Sequence, residues 1–143
     1  MQLCEYQAGK VIMGRLPKGE DLLACIEQVA RDYEINMGKV EVIGAVEKAV
    51  IAFYDQDDYE YKNIELDRPL EIVSTMGNIS QKDSDVKGHI HITLGDYDGT
   101  TYSGHLVQGT VIFASEIILQ ELTGPQLHRA YDEPTGLPLW DMK

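Results

Sequence analysis

Gly88-His89-Ile90-His91-Ile92-Thr93-Leu94-Gly95-Asp96-Tyr97-Asp98-Gly99-Thr100-Thr101-Tyr102-Ser103-Gly104-His105-Leu106 consists of two alternating runs around an Asp-Gly turn. Successive strand side chains point to opposite faces, so Ile90, Ile92 and Leu94 share one face and His89 and His91 the other. A three-residue Tyr97-Asp98-Gly99 loop, with Gly99 left-handed, pairs Asp96 with Thr100. Leu94 then faces Tyr102, Ile92 faces Gly104, Ile90 faces Leu106, and His91 faces His105. A two-residue Asp98-Gly99 turn shifts the parity, setting His105 beside Ile92 and dividing the apolar face. Burial of one face specifies register, which favours the first pairing. It gathers His89, His91 and His105 on one side of an antiparallel hairpin.

His89 and His91 lie about 6.5–7 Å apart at their backbones, a gap that imidazoles can close onto one ion. Three neutral imidazoles suit zinc or another borderline divalent ion and leave a fourth position for water or substrate. A closed structural site needs a fourth protein ligand, which the sequence does not identify. His-x-His alone is more simply a polar strand face; the third histidine tips the balance toward metal. His128 stands apart.

Working outward, the pattern predicts strands over Val11 to Arg15, Val40 to Val46, Lys48 to Tyr54, Tyr59 to Leu66, Leu70 to Met76, His89 to Leu94, Thr101 to Val107 and Thr110 to Leu122. The last is long, and a bulge near Ser115 is expected. The one clear helix is predicted from Gly19 to Tyr33, with Leu22, Leu23, Ile26, Val29, Ala30 and Tyr33 on its core face and Glu27, Gln28, Arg31 and Asp32 opposite. Glu20 and Asp21 are placed in its first turn. Short connections favour antiparallel pairing. The expected fold is α+β: a large, curved, mostly antiparallel sheet, a partial barrel, with one principal amphipathic helix and room for one helical turn elsewhere. No linker or repeat divides the chain, so one domain over residues 1–143 is expected. The tail from Gly124, with Pro125, Pro134 and Pro138, reads as irregular, but Leu127, Tyr131, Leu137, Leu139 and Trp140 suggest that it docks on the body or on another subunit.

The 143 residues include 12 Lys+Arg and 24 Asp+Glu, a net charge of −12. Such a field repels phosphate backbones and anionic headgroups, so neither nucleic acid nor a membrane surface is the partner that composition suggests. Cys4 and Cys25 form no metal motif or disulfide framework, which suits a reducing cytosol. There is no membrane-length apolar run, and a cytoplasmic location is expected.

Further pieces carry a family resemblance: Gly14-Arg15-Leu16-Pro17-Lys18-Gly19-Glu20-Asp21, Gly38-Lys39-Val40 with Ile43-Gly44-Ala45, Glu71-Ile72-Val73-Ser74 with Gly77-Asn78-Ile79, Gly88-His89-Ile90-His91 and Gly104-His105-Leu106. With Glu116, Arg129, Asp132, Thr135 and Gly136, their order and spacing resemble the plant and prokaryote conserved (PPC) domain in its stand-alone prokaryotic form. The resemblance implies an α+β homotrimer with His89, His91 and His105 at the family's metal-binding positions. It also brings a DNA-binding label, which stems from plant members that join this domain to a basic AT-hook. No Arg-Gly-Arg-Pro core occurs here, and Gly14-Arg15-Leu16-Pro17 lacks the paired arginines that flank a narrow A·T groove. A more distant fold-level analogy runs to acetolactate decarboxylase, whose metal is held by a His-x-His pair and a later histidine.

Arg15 and Glu20 fit a strand-to-helix corner, although Arg15 has the chemistry to orient a carboxylate or phosphate. Glu116, inside an apolar run, is either an imidazole-orienting group or base or an outward edge residue. Arg129 either enters a neighbouring subunit's cleft or, as the preferred reading, pins the tail by a salt bridge. Asp55, Asp57, Asp58 and Glu60 are expected to form a solvated turn, and Gly77 and Asn78 a bend or bulge. Two functions follow: a homotrimeric binding or regulatory module with a zinc-type site, or a small zinc metalloenzyme acting on a small carbonyl or carboxylate molecule.

Overall fold

The computed structural model describes residues 2–142. Their elements run β1 (Gln7–Leu16), α1 (Leu22–Asp32), β2 (Gly38–Asp55), β3 (Glu60–Leu66), β4 (Leu70–Lys82), β5 (Asp85–Gly95), β6 (Thr101–Leu106), β7 (Val111–Thr123), β8 (Arg129–Asp132) and β9 (Leu137–Trp140). The main sheet has the order β1-β7-β2-β4-β5-β6, with β3 also paired to β2. All of its pairings are antiparallel.

β2 is the hub. Its first half lies between β7 and β4, with Lys39 opposite both Gln120 and Asn78. Its second half pairs with β3 and, through Ile51 and Ala52, with Leu106 and His105 of β6. That return contact makes the sheet partly ring-like without closing a barrel. The α+β architecture with one helix is therefore the expected one, and α1 is the one helix among the described residues.

Several boundaries differ from expectation for local reasons. The two strands expected over Val40 to Tyr54 are one long strand. Against β7 its register shifts twice: Ala45 faces Ala114 but Val46 faces Ile112, so Phe113 is an extra residue, two positions before Ser115, and Lys48 then faces Val111, leaving Glu47 extra. Gly44 permits this crossing: its φ is +136°, and a Cβ there would sit 2.1 Å from Ala114 O. β4 and β5 continue well past their expected ends to a two-residue turn at Asp83-Ser84, both with positive φ. Gly77 and Asn78 pair regularly with Ile90 and His89, the β5-side shift falling between Ile72 and Ser74, while on the β2 side the register shifts directly beyond Gly77, between the Val40–Gly77 and Gly44–Ile72 pairs.

α1 begins after Asp21, which lies outside the first turn as its N-cap. Asp21 Oδ1 accepts from Ala24 N at 2.9 Å and Oδ2 from Gly109 N at 2.7 Å, tying the helix start to the loop before β7. Leu22, Ile26 and Ala30 are fully buried with Ile35, Val40, Ile79, Ile90, Ile92, Leu94, Ile112 and Leu119. Tyr33, expected in the core, is the exposed C-cap. Glu27, expected on the polar face, is buried against β5.

The tail is ordered where an irregular segment was expected. β8 and β9 form a small antiparallel ribbon, with Arg129 opposite Trp140. It docks on the body: Leu127 is buried, Trp140 Nε1 donates to Ser80 Oγ at 3.1 Å, and Tyr54 OH donates to Thr135 O at 2.7 Å. The acidic turn after β2 is solvated, with Asp55 accepting from Asp57 N and Asp58 N and pairing with Lys62.

Candidate metal centre

The hairpin register places the histidines. His91 lies opposite His105, Ile92 opposite Gly104 and Leu94 opposite Tyr102; Asp96 N donates to Thr100 O at 2.8 Å, and Gly99 has φ +85°. This is the three-residue loop favoured by the apolar pattern. Ile90, Ile92 and Leu94 are buried on one face, which turns the imidazoles to the other. Gly104 lets β6 lie close to β2, because a Cβ there would be 2.8 Å from Ala52 O.

One ligand nitrogen from each of His89, His91 and His105 lies within 4.8 Å of the others. Ring centroids are 5.3 Å apart for His89 and His91, 5.2 Å for His89 and His105, and 4.3 Å for His91 and His105. Ligand nitrogens in a tetrahedral zinc site are about 3.3 Å apart when each Zn–N bond is about 2.0–2.1 Å. Small side-chain rotations close the difference, so the three residues fit a divalent ion. The edge of the Tyr61 ring packs against His105, with centroids 5.1 Å apart.

Electrostatics favour the ligand form of two rings. Burial, helped by the Arg129 guanidinium and by the other two histidines, lowers His89 to about 4. Burial and His91 lower His105 as well. A neutral imidazole is the species that donates to a metal.

Beside the cluster is a cavity of about 390 Å³. β6 pairs with β5 only from His91 to Gly95, so the edge of β5 from Lys87 to Ile90 is left without a β6 partner, and the cavity opens there between α1 and the tail ribbon. Glu27 Oε1 accepts from Gly88 N at 3.1 Å, satisfying one donor of that edge. Arg129 reaches the cavity from β8, donating to Asn78 Oδ1 at 2.8 Å and Pro138 O at 3.1 Å and lying over Trp140. Asn78 on β4, a neutral acceptor rather than a carboxylate, attaches it to the body, while Pro138 O holds it within the ribbon.

Of the residues singled out in the sequence, the three histidines and Arg129 come together. Arg15 and Glu116 do not join them. They face each other on β1 and β7 and line a different cavity with Met13, Ile43 and Ile118. β7 is three strands from β5 in the sheet order, on the order of 14 Å at about 4.8 Å per strand. Asn78 and Glu27 were missed in these roles. Neither had a signal in the sequence: Asn78 comes opposite His89 only once β4 and β5 pair, and the partner of Glu27 is on another element.

The model of the Plants and Prokaryotes Conserved (PCC) domain matches residues 4–123. Among solved structures, the chain is similar to a metal-containing protein from Archaeoglobus fulgidus, with 44% identity, TM-score 0.93, and 98% of this chain and 99% of that one covered. It is also similar to a plant- and prokaryote-conserved (PPC) protein from Pyrococcus horikoshii, with 33% identity, TM-score 0.93 and coverage of 99% and 97%. A Ralstonia eutropha JMP134 protein named as a candidate DNA-binding protein matches at 26% identity and TM-score 0.81, covering 92% and 90%. The bifunctional protein GlmU of Synechococcus sp. (strain JA-3-3Ab) is 30% identical over 125 residues, 85% of this chain. The chain spans about a fifth of the length of the curated relatives it matches, 19% in each case.

Proposed function

Because the chain belongs to the Plants and Prokaryotes Conserved (PCC) domain family, we propose that it is a single-domain, cytoplasmic, homotrimeric binding or regulatory module whose His89, His91 and His105 hold one divalent ion, zinc, per subunit. The observation that carries this reading is the convergence of three ligand nitrogens on the hairpin. The likeness to a metal-containing protein supports it, as does the lowered basicity of His89 and His105. Such an ion would supply Lewis acidity at the hairpin face. The imidazoles choose the metal class, and β5 and β6 fix their spacing.

The trimer is supported by the outer sheet face, where Val11, Met13, Ile43 and Ile118 are exposed on neighbouring strands. DNA is the disfavoured partner. A net charge of −12 opposes approach to phosphates, and the paired arginines of an AT-hook do not occur in these residues. No helix among the described residues is long and apolar enough to cross a membrane.

A second reading, a small zinc metalloenzyme acting on a small carbonyl or carboxylate substrate, is favoured by the cavity at His89 and His105. The fourth coordination position separates the two. A carboxylate closing it favours the module, and water at the cavity mouth favours the enzyme.

Metal analysis of protein purified without added metal or chelator tests the first reading, with about one zinc per chain expected. Absence of transition metal together with no uptake on titration would overturn it. Light scattering should give three times the 16.0 kDa of the chain. Duplex DNA should bind weakly even at low salt; tight, salt-sensitive binding would restore DNA as the partner.

A further inference from the structure

The cavity at the free edge of β5 has a composition opposite to that of the whole chain. Acidic side chains outnumber basic ones two to one in the sequence, yet the cavity wall holds Lys82, Lys87 and Arg129 against one carboxylate, Glu27. Lys87 is paired, to Glu27 at 3.3 Å and to Asp85 at 3.3 Å. Arg31 and Arg68 also have carboxylate partners, Asp85 and Asp96. Arg129 is half-buried and has no carboxylate partner among the described residues; its two hydrogen bonds go to neutral oxygens.

A guanidinium has five N–H donors in a rigid fork suited to a carboxylate, so Arg129 retains unengaged donors. A cation withdrawn from water without a counter-charge is costly, and burial already disfavours its charged form. The other wall is apolar: Leu23, Ile90, Leu106, Leu137, Pro138 and Leu139. A volume of about 390 Å³ is that of a small-molecule site. Lys82 is the wall's other cation without a carboxylate partner among the described residues, but it is a point charge, whereas the planar fork of Arg129, beside His89 and facing the apolar wall, matches a carboxylate on a short apolar body.

We infer that this cavity binds a small monocarboxylate with a compact apolar tail, the carboxylate taking the unengaged donors of Arg129 beside His89 and the tail lying along Leu23, Leu106 and Leu137. The inference rests on the histidine cluster being the functional site, but not on an ion being bound. With an ion present the carboxylate has a second cation nearby; without one, Arg129 still selects it.

The test is calorimetric titration of the full chain at pH 7.5 with hexanoate, its neutral isostere hexanamide, and hexyl phosphate, both zinc-loaded and after chelation. A charge-assisted pair of this kind predicts that metal-free protein binds hexanoate at least about tenfold more tightly than hexanamide, and more tightly than hexyl phosphate. Arg129→Gln should abolish the difference between hexanoate and hexanamide. Because Arg129 also holds the tail, Leu23→Glu serves as a second variant that leaves those bonds intact; by adding a carboxylate to the wall it should cut the hexanoate-to-hexanamide ratio about tenfold. Equal affinity for the two isosteres, no binding of either, tighter binding of hexyl phosphate, or a ratio unmoved by both variants would overturn the inference. If zinc fails to bind while the preference persists, the metal reading falls and this one stands. If hexanoate binds only the zinc-loaded protein regardless of Arg129, this one falls and the metal reading stands.

Discussion

The β5–β6 hairpin and the β8–β9 ribbon border the same cavity, but they are held in place differently. In the hairpin, buried Ile90, Ile92 and Leu94 alternate with the site residues, and β5 is hydrogen-bonded along most of its length to β4. Shifting one histidine would expose the core. The ribbon has four-residue strands and is attached by a few side-chain bonds, among them Arg129 to Asn78, Trp140 to Ser80 and Tyr54 to Thr135, plus the buried Leu127. Elements with few buried contacts open locally before the rest of a domain. The candidate metal ligands thus belong to the rigid partner, and Arg129, the guanidinium proposed to bind a carboxylate, to the detachable one.

The comparison breaks most directly at the rigid side. Replacing even a residue that supports a ligand costs 10–100-fold in metal affinity, so His91→Ala should weaken zinc binding by at least about 100-fold in a chelator-competition assay. A loss of a few-fold would mean that the hairpin does not hold the ion. On the other side, Leu127→Ala should cost about 2–3 kcal/mol of local stability. Hydrogen exchange should then quicken across residues 129–140 while residues 89–94 stay protected. Uniform quickening would show that ribbon and hairpin open as one unit.

Gly104→Ala sharpens the contrast within the hairpin. Its Cβ would meet Ala52 O, a backbone atom with little freedom to move, so the variant should lose about 2 kcal/mol in urea unfolding. Zinc affinity should fall with it as β6 moves away from β2. The smallest effect expected is one of pH. His89 is lowered to about 4 in the folded chain from an ordinary value of 6.5. Between those values the unfolded chain binds more protons, so metal-free protein is most stable above about pH 6.5 and loses stability as the pH falls toward 4. Solvent screening of this partly exposed ring holds the loss to on the order of 1 kcal/mol. His89→Gln should flatten the profile; an unchanged slope would assign it to other groups.

The same division explains what the sequence disclosed. The hairpin was legible because apolar alternation and burial of one face select the three-residue loop over the two-residue Asp98-Gly99 turn, which would have divided the apolar face. The Asp83-Ser84 turn was not, since left-handed backbone at both positions is signalled by glycine or asparagine more than by serine. Tyr33 follows the helical period but lies beyond the point where α1 stops. The ribbon was hidden because its strands are only four residues long and Pro138 lies inside β9. Arg129, Asn78 and Glu27 meet only through tertiary structure, which periodicity cannot report. Arg15 and Glu116 were singled out separately; the structure sets them opposite each other, and the strand order carries both away from the histidines.

The pairing of β1 with β7, which sets Gln7 opposite Thr123, governs how the chain assembles in time. The β4–β5 and β5–β6 hairpins connect neighbours in sequence and can zip early, whereas the first strand must wait for the last long one before it has a partner. Loop closure over such a span is entropically expensive, and topologies dominated by distant pairings fold in milliseconds to seconds. During synthesis β1 is made first and the histidine hairpin directly precedes β7, so the face carrying the candidate ligands is expected to take shape while the opposite edge of the sheet is still unpaired.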